Sequence, residues 1–191
     1  MKKIFVCFTV FTLLLVTSCY REPNNPLLPE KGKSQTSLLQ LLQQIDSLGS
    51  LGEFDPAISK NYITQAEEFS EINPEDPMAA EFLYKGGLLA MTVAKSSGNI
   101  EEADQYSQKA LTIFDNILKI YPDFNGVKNC ILNKGVVYDD ILHDYDNADI
   151  YYREFIARFP NDSLAIKLEP YLQYLGKSPE EIMASFGKGN K

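Results

Sequence analysis

The sequence predicts an all-α protein, a short α-solenoid of about seven to eight helices paired as hairpins. Three observations lead to this prediction. Apolar residues recur at intervals of three and four along most of the chain, as in Tyr152, Phe155 and Phe159, which places them on one helix face. No stretch alternates apolar and polar residues for long enough to predict a sheet. Helical segments also resemble each other at a fixed offset, as the units of a solenoid do.

Capping signals set the predicted helix boundaries. Capping boxes, in which Ser or Asn pairs with Glu or Gln three residues later, fall at Ser37 and Gln40, Asn99 and Glu102, and Ser178 and Glu181. A capping residue precedes proline at Asp55, Asp76 and Ser178, and glycines predict helix ends at Gly49, Gly98 and Gly176. The predicted helices cover residues 37–48, 56–72, 77–96, 100–121, 126–143, 146–159, 162–175 and 179–186.

Two helical segments repeat. Residues 110–122 and 148–160 both begin with alanine and end with an aromatic residue and proline, and residues 62–74 are a looser relative. The last unit resembles a tetratricopeptide repeat at Gly135, Tyr138, Tyr145, Ala148, Tyr152, Phe155 and Pro160. The resemblance spans roughly residues 56–175, with one good, one extended and one degenerate repeat. In this family the glycine and alanine are small so that paired helices approach closely, and the proline ends the second helix.

The N-terminus has the form of a secretory leader. Lys2 and Lys3 precede a mostly apolar run over residues 4–16, which is too short to span a bilayer but typical of a signal peptide. The run ends in "VTSC", which resembles the lipobox of bacterial lipoproteins and implies a lipidated Cys19. The alternative is an ordinary secretory signal with a chance cysteine. The predicted organisation is a signal peptide (1–18), a lipidated cysteine and flexible tether (19–36), and a tetratricopeptide-like helical domain (37–191).

The net charge of the chain limits the classes of partner that we expect. The chain has a formal charge of −8 and no clustered basic run, so we expect no nucleic-acid binding. We also expect membrane contact through the lipid anchor only, because an acidic body is not attracted to anionic headgroups. The lipobox, the tether and the repeats together resemble envelope lipoproteins of the outer-membrane assembly and Tol–Pal-associated types. That resemblance implies a lipid-anchored position in the bacterial cell envelope, at the outer membrane, on its periplasmic or cell-surface face.

In tetratricopeptide arrays the first helix of each pair lines a concave groove that takes peptides or helices. Carried over to this chain, the groove positions are Glu81, Tyr84, Leu88, Asn129, Leu132, Asp139 and Asp140. The two aspartates would favour basic partner segments. The resemblance therefore implies a scaffold for protein–protein contacts in envelope assembly or maintenance, with an unidentified envelope protein or peptide segment as the partner. The alternative is an accessory lipoprotein that binds a glycan or nutrient.

We expect no enzyme, cofactor or metal. The acidic stretch of residues 144–163 is interpreted as helix caps and exposed ion pairs. A calcium loop starting at Asp144 would need glycine and glutamate where Asp149 and Phe155 stand. His143 is the only histidine and has no companion ligands, so we interpret it as a helix-end residue. Cys130 is interpreted as a small buried hydrophobe.

Overall fold

The computed structural model describes residues 31–187, and this part of the chain is all-α, as predicted. Its helices pack mainly against their neighbours in sequence, which gives a solenoid-like row of hairpins without strands in the described range. The predicted signal peptide, Cys19 and residues 19–30 of the predicted tether lie outside the described residues. The helices are α1 (Lys31–Ser50), α2 (Pro56–Ile72), α3 (Ala79–Ser96), α4 (Ile100–Ile120), α5 (Val127–Val136), α6 (Tyr145–Arg158), α7 (Ser163–Tyr171) and α8 (Pro179–Gly187), with a π-turn (Val137–Ile141) after α5 and a 3-10 turn (Leu172–Tyr174) after α7.

The first helix is longer than predicted at both ends. Residues 31–36, which were predicted to belong to the tether, are helical and part of α1. Ser37 lies inside the helix and its Oγ donates to Gln65 Oε1 at 2.7 Å, which ties α1 to α2 instead of capping α1. Gly49 also lies inside α1, because a glycine weakens a helix by only about 1 kcal/mol. The left-handed turn comes at Gly52, with φ of 73°.

Other predicted caps form. Asp55 accepts hydrogen bonds from the backbone of α2, and Ser178 and Glu181 form the reciprocal bonds of a capping box at 2.8 and 3.2 Å. Asn99 caps α4, but the predicted box there is incomplete because the carboxylate of Glu102 bonds to other side chains. Asp76 caps a turn instead, accepting from the N–H of residue 78 at 3.0 Å, and α3 begins two residues later than predicted.

The predicted single helix over residues 126–143 is interrupted. After α5 the N–H of Leu142 bonds to the carbonyl of Val137 at 3.0 Å, five residues back, which defines the π-turn. His143 then adopts a φ of 52°, and its Nδ1 lies 3.0 Å from the carbonyl oxygen of Asp139. The imidazole therefore serves a helix end, in agreement with the interpretation from sequence.

The turns between hairpins are equivalent. Helices α2, α4 and α6 each end at a residue with nearly the same backbone conformation, with φ and ψ of −128° and 57° at Asn73, −122° and 59° at Tyr121, and −131° and 55° at Phe159. The carbonyl of each accepts from the N–H three residues later, at 3.0, 3.0 and 2.9 Å. Proline follows in all three cases. The looser relative ending at residue 74 is therefore structurally equivalent to the other two at this joint.

Small residues and ion pairs hold the hairpins together. A Cβ added at Gly87 of α3 would lie 2.6 Å from the ring of Phe114 on α4, so only glycine fits there without movement. Helices α2 and α4 both pack against α3 and are linked by two ion pairs with the same sequence separation. These pairs join Lys60 to Glu102 at 2.5 Å and Lys109 to Glu67 at 3.1 Å.

Candidate functional site

The face shared by α3 and α5 is organised around Tyr84. Its half-buried ring contacts Phe114 and Phe124, with centroid distances of 6.3 and 5.8 Å. Burial raises the pKa of the hydroxyl, while the amides of Asn133 and Asn129 lie beside it and partly offset this rise. The side chain is therefore fixed by apolar contacts at its ring and by amides at its tip. An aromatic ring held in this way is a preorganised contact group.

The structure brings together three of the predicted groove residues, Tyr84, Leu88 and Asn129, on this surface. Leu88 is half-buried and packs against the main core cluster. Sequence reasoning missed Asn133, although it lies one helical turn after Asn129 and so shares its face. We refer to these four residues, Tyr84, Leu88, Asn129 and Asn133, as the α3–α5 face.

Two other predicted groove residues lie outside this face. Glu81 is in the first turn of α3, and its carboxylate adds to the effect of burial in raising the pKa of Tyr62 and Tyr84. Leu132 packs against the cluster formed by Ile131, Phe155 and Ala165, which places it toward α6 and α7. It therefore supports the last hairpin.

Asp139 does not line a surface, which corrects the prediction for this residue. It is only 7% exposed, and its Oδ2 accepts hydrogen bonds from the hydroxyls of Tyr152 at 3.0 Å and Tyr171 at 2.7 Å. Burial, followed by the nearby Asp139 carboxylate, raises the pKa of Tyr152. The π-turn places this carboxylate between α6 and α7. Its role in the described structure is to join these helices.

Asp140 is exposed, as predicted, but it is not a free charge. Lys95 at the end of α3 donates to its Oδ2 at 3.1 Å. With Asp139 buried and Asp140 paired, the α3–α5 face carries no acidic pair. The predicted preference of this face for a basic segment therefore loses its basis.

A second polar cluster lies between α4, α5 and α6. Lys134 is 5% exposed, forms an ion pair with Asp115, and places its Nζ 4.1 Å from the centre of the Tyr151 ring. Burial lowers the pKa of Lys134, but hydrogen bonds to Asp115 and Tyr151 outweigh this effect and raise it. The Tyr138 and Tyr151 rings stack at 5.5 Å. This cation is neutralised by its surroundings and contributes to helix packing.

The acidic stretch of residues 144–163 has the structural role predicted for it. Asp144 accepts from the backbone N–H of Asn147 at 3.1 Å and caps α6. Two exposed pairs follow on that helix, Asp149 with Arg153 and Glu154 with Arg158, at 2.6 and 3.0 Å.

Reactive groups are scarce in the described part of the chain. Burial raises the pKa of the Cys130 thiol to about 12, so it is neutral and unreactive at physiological pH. Within residues 31–187 no group of three or more His, Cys, Asp or Glu side chains could hold a metal ion. In the same range, no helix is long and apolar enough to cross a membrane.

Comparison with known proteins adds no assignment, because no family model, curated protein or solved structure matches the chain.

Proposed function

We propose that this chain is a lipid-anchored, tetratricopeptide-like scaffold that mediates protein–protein contacts in the bacterial cell envelope, in envelope assembly or maintenance. The lipobox-like "VTSC" supports the anchor and the location. The three equivalent turns at Asn73, Tyr121 and Phe159 support the repeat architecture.

The observation that carries the proposal is the α3–α5 face. Tyr84 presents an aromatic ring whose position is fixed by Phe114 and Phe124, so little conformational entropy is lost when a partner packs against it. Tyrosine is also enriched among residues that dominate binding energy at protein interfaces. Asn129 and Asn133 add amides that donate and accept hydrogen bonds, which suits the backbone of a peptide or loop.

We expect the partner segment at this face to combine apolar residues with uncharged polar residues, rather than to be strongly basic. Asp139 is buried and Asp140 is paired with Lys95, while Leu88 offers part of an apolar side chain. We therefore expect a salt-insensitive contact, since exposed charges contribute little to it.

Site-specific crosslinking in intact envelopes tests the proposal. A photo-crosslinking amino acid replaces Leu88 on the face or, as the control, Glu68 on the exposed side of α2. We expect a discrete protein adduct from position 88 that is absent from position 68. Tyr84→Ala should reduce the adduct yield by about tenfold, if this residue is a dominant contact worth 1–2 kcal/mol.

Equal adducts from both positions, or an adduct insensitive to Tyr84→Ala, would contradict a specific contact at this face. Recovery of a glycan or small molecule in place of a protein would favour the accessory ligand-binding alternative. Circular dichroism of each variant shows whether a loss of crosslinking reflects unfolding.

A further inference from the structure

Unequal helix lengths leave a step in the solenoid. Helices α4 and α5 meet at the turn that follows Tyr121. Measured from that turn, α4 has 21 residues, whereas α5 has 10 and the π-turn adds 5. Helix α4 is therefore about six residues longer, which is about 9 Å at 1.5 Å per residue. By this count, about the first one and a half turns of α4 extend past the end of the π-turn.

A cleft of about 650 Å³ lies at this step. Ile100, which is 89% exposed, lines it from α4, and Ile141 and Leu142 line it from the end of the π-turn. Small side chains at Ala103 and Ser107 also line it from α4. The Ser107 hydroxyl donates to the carbonyl of Ala103 at 2.7 Å, so this polar group is already satisfied. The cleft therefore offers apolar contacts and room for side chains.

The charged side chains that line the cleft are all acidic. The titratable side chains that line it are Glu101 and Asp104, and both are exposed. Within residues 31–187 neither carboxylate takes part in an ion pair. The whole chain carries a formal charge of −8, which strengthens the negative potential that a cationic partner meets.

We propose that this cleft binds a basic amphipathic segment of a partner protein. Apolar side chains of the segment pack between Ile100 and the pair formed by Ile141 and Leu142, and its Lys or Arg side chains meet Glu101 and Asp104. The inference rests on the proposed scaffold function, since the occupant is a protein. It adds a second surface and names the chemistry of the segment that binds there. An anionic lipid surface does not fit, because the two carboxylates would repel it.

A binding assay with matched charge variants tests the proposal. The full chain is reconstituted in phosphatidylcholine nanodiscs and titrated with a fluorescent amphipathic Leu/Lys peptide, with empty nanodiscs as the blank. A Leu/Glu peptide with the same apolar pattern serves as the ligand control. We expect the Leu/Lys peptide to bind and the Leu/Glu peptide not to, with affinity falling as salt rises.

Two charge reversals separate the cleft from the overall charge of the chain. The double variant Glu101→Lys, Asp104→Lys should weaken binding by about tenfold or more at low salt, a loss near 1.4 kcal/mol. The control double variant Glu68→Lys, Glu71→Lys has the same residue spacing and the same charge change, on exposed positions of α2, and should change affinity by less than about twofold. For the apolar wall, Ile100→Ala should weaken binding and Ile150→Ala, which removes another exposed isoleucine, should not.

Several outcomes would overturn the inference. Failure of the Leu/Lys peptide to bind, equal losses in the two charge reversals, or equal affinity for the two peptides would each exclude a specific cationic site. A concentration-dependent dimer that disappears in Ile100→Ala would make the cleft an interface between copies of this chain. If Tyr84→Ala abolishes peptide binding while the cleft variants do not, the cleft inference is wrong. The proposed function at the α3–α5 face would then stand.

Discussion

The hydroxyl of Tyr171 on α7 donates a 2.7 Å hydrogen bond to Oδ2 of Asp139, and these residues are 32 positions apart in the chain. The same oxygen accepts from Tyr152 on α6. One carboxylate at the π-turn thus fixes the two helices that follow it. Hydrogen bonds to a charged acceptor are worth about 1.5–3 kcal/mol each, and a buried partner left unsatisfied is costly.

Removing this carboxylate should destabilise the last hairpins. Asp139→Ala leaves the buried Tyr152 hydroxyl without its acceptor, and we expect the free energy of unfolding to fall by about 3 kcal/mol. Asp140→Ala removes a neighbouring carboxylate that is half exposed and should cost less than about 1 kcal/mol. Urea denaturation monitored by circular dichroism measures both changes. Similar losses from the two variants would show that Asp139 does not have this joining role.

Two glycine-to-alanine substitutions, one at a helix contact and one at an open position, test the packing between helices. A Cβ at Gly135 would lie 2.6 Å from the Tyr152 ring, whereas one at Gly49 in α1 would meet no atom within 4 Å. Gly135→Ala should therefore destabilise the fold by about 1–3 kcal/mol through overpacking. Gly49→Ala should stabilise it by up to about 1 kcal/mol, because alanine is the better helix former. The thermal unfolding midpoints should move in opposite directions, and a shared direction would contradict the packing described at Gly135.

Tyr121 offers a substitution that should raise stability. Its hydroxyl is buried and has no hydrogen-bond partner among residues 31–187. Burial also raises the pKa of this hydroxyl. An unsatisfied buried hydroxyl costs about 1–3 kcal/mol, so Tyr121→Phe should increase the free energy of unfolding by about 1 kcal/mol. The matched control is Tyr152→Phe, which removes a bonded hydroxyl and should decrease it. A loss of stability in Tyr121→Phe would reveal a partner for this hydroxyl, such as a bound water.

Because tyrosines are buried in the fold, we expect the folded state to lose stability at alkaline pH. Tyr62 is 0% exposed, and burial, with a smaller effect of Glu81, raises its pKa above the ordinary 10.0. Above pH 10 the unfolded chain loses this proton and the folded chain keeps it. The unfolded state then binds fewer protons, so stability falls with pH, by up to about 1.4 kcal/mol per pH unit for each such tyrosine.

The Tyr62→Phe variant isolates this effect. Its stability should decline less steeply than that of the original chain between pH 10 and 11, measured by urea denaturation at each pH, while the two slopes should agree between pH 7 and 9. Parallel curves through the alkaline range would mean that Tyr62 ionises equally readily in both states.

The anchor can be tested at the leader. If "VTSC" is a lipobox, Cys19→Ser should abolish incorporation of a labelled fatty acid and release the protein from the membrane fraction. Cys7→Ser changes a leader cysteine outside this motif and should leave both unchanged. Persistent labelling of the Cys19→Ser chain would contradict lipidation at this residue.

Local signals in the sequence predicted most of the described fold. Apolar stripes and caps such as Asp55 and Ser178 act within one helical turn, so they can be read from neighbouring residues. The repeated aromatic–proline ends correctly indicated the equivalent joints at Tyr121 and Phe159. By contrast, residues 31–36 were assigned to the tether because Ser37 and Gln40 match a capping box, whereas these residues are helical in the structure.

The acidic residues of the candidate groove were harder to predict. Asp139 was assigned to the groove by carrying over positions from the tetratricopeptide resemblance, without regard to the buried face of α5. Asp139 lies one helical turn after Gly135, which packs against the Tyr152 ring, so helical spacing places it on the side that faces Tyr152. The partner of Asp140 is Lys95, 45 residues earlier, and no local pattern reveals such a pairing. The same holds for the step that exposes Ile100, which depends on the relative lengths of two helices.

Because the turns between hairpins are equivalent, whole hairpins could be duplicated or exchanged along the chain. A segment cut after Tyr121 and after Phe159 begins and ends on joints with the same backbone geometry. A tandem copy of residues 122–159 inserted after Phe159 would therefore join without a new linker. Gene duplication or engineering can thus lengthen the array by whole hairpins, since each copy presents a compatible end to the next.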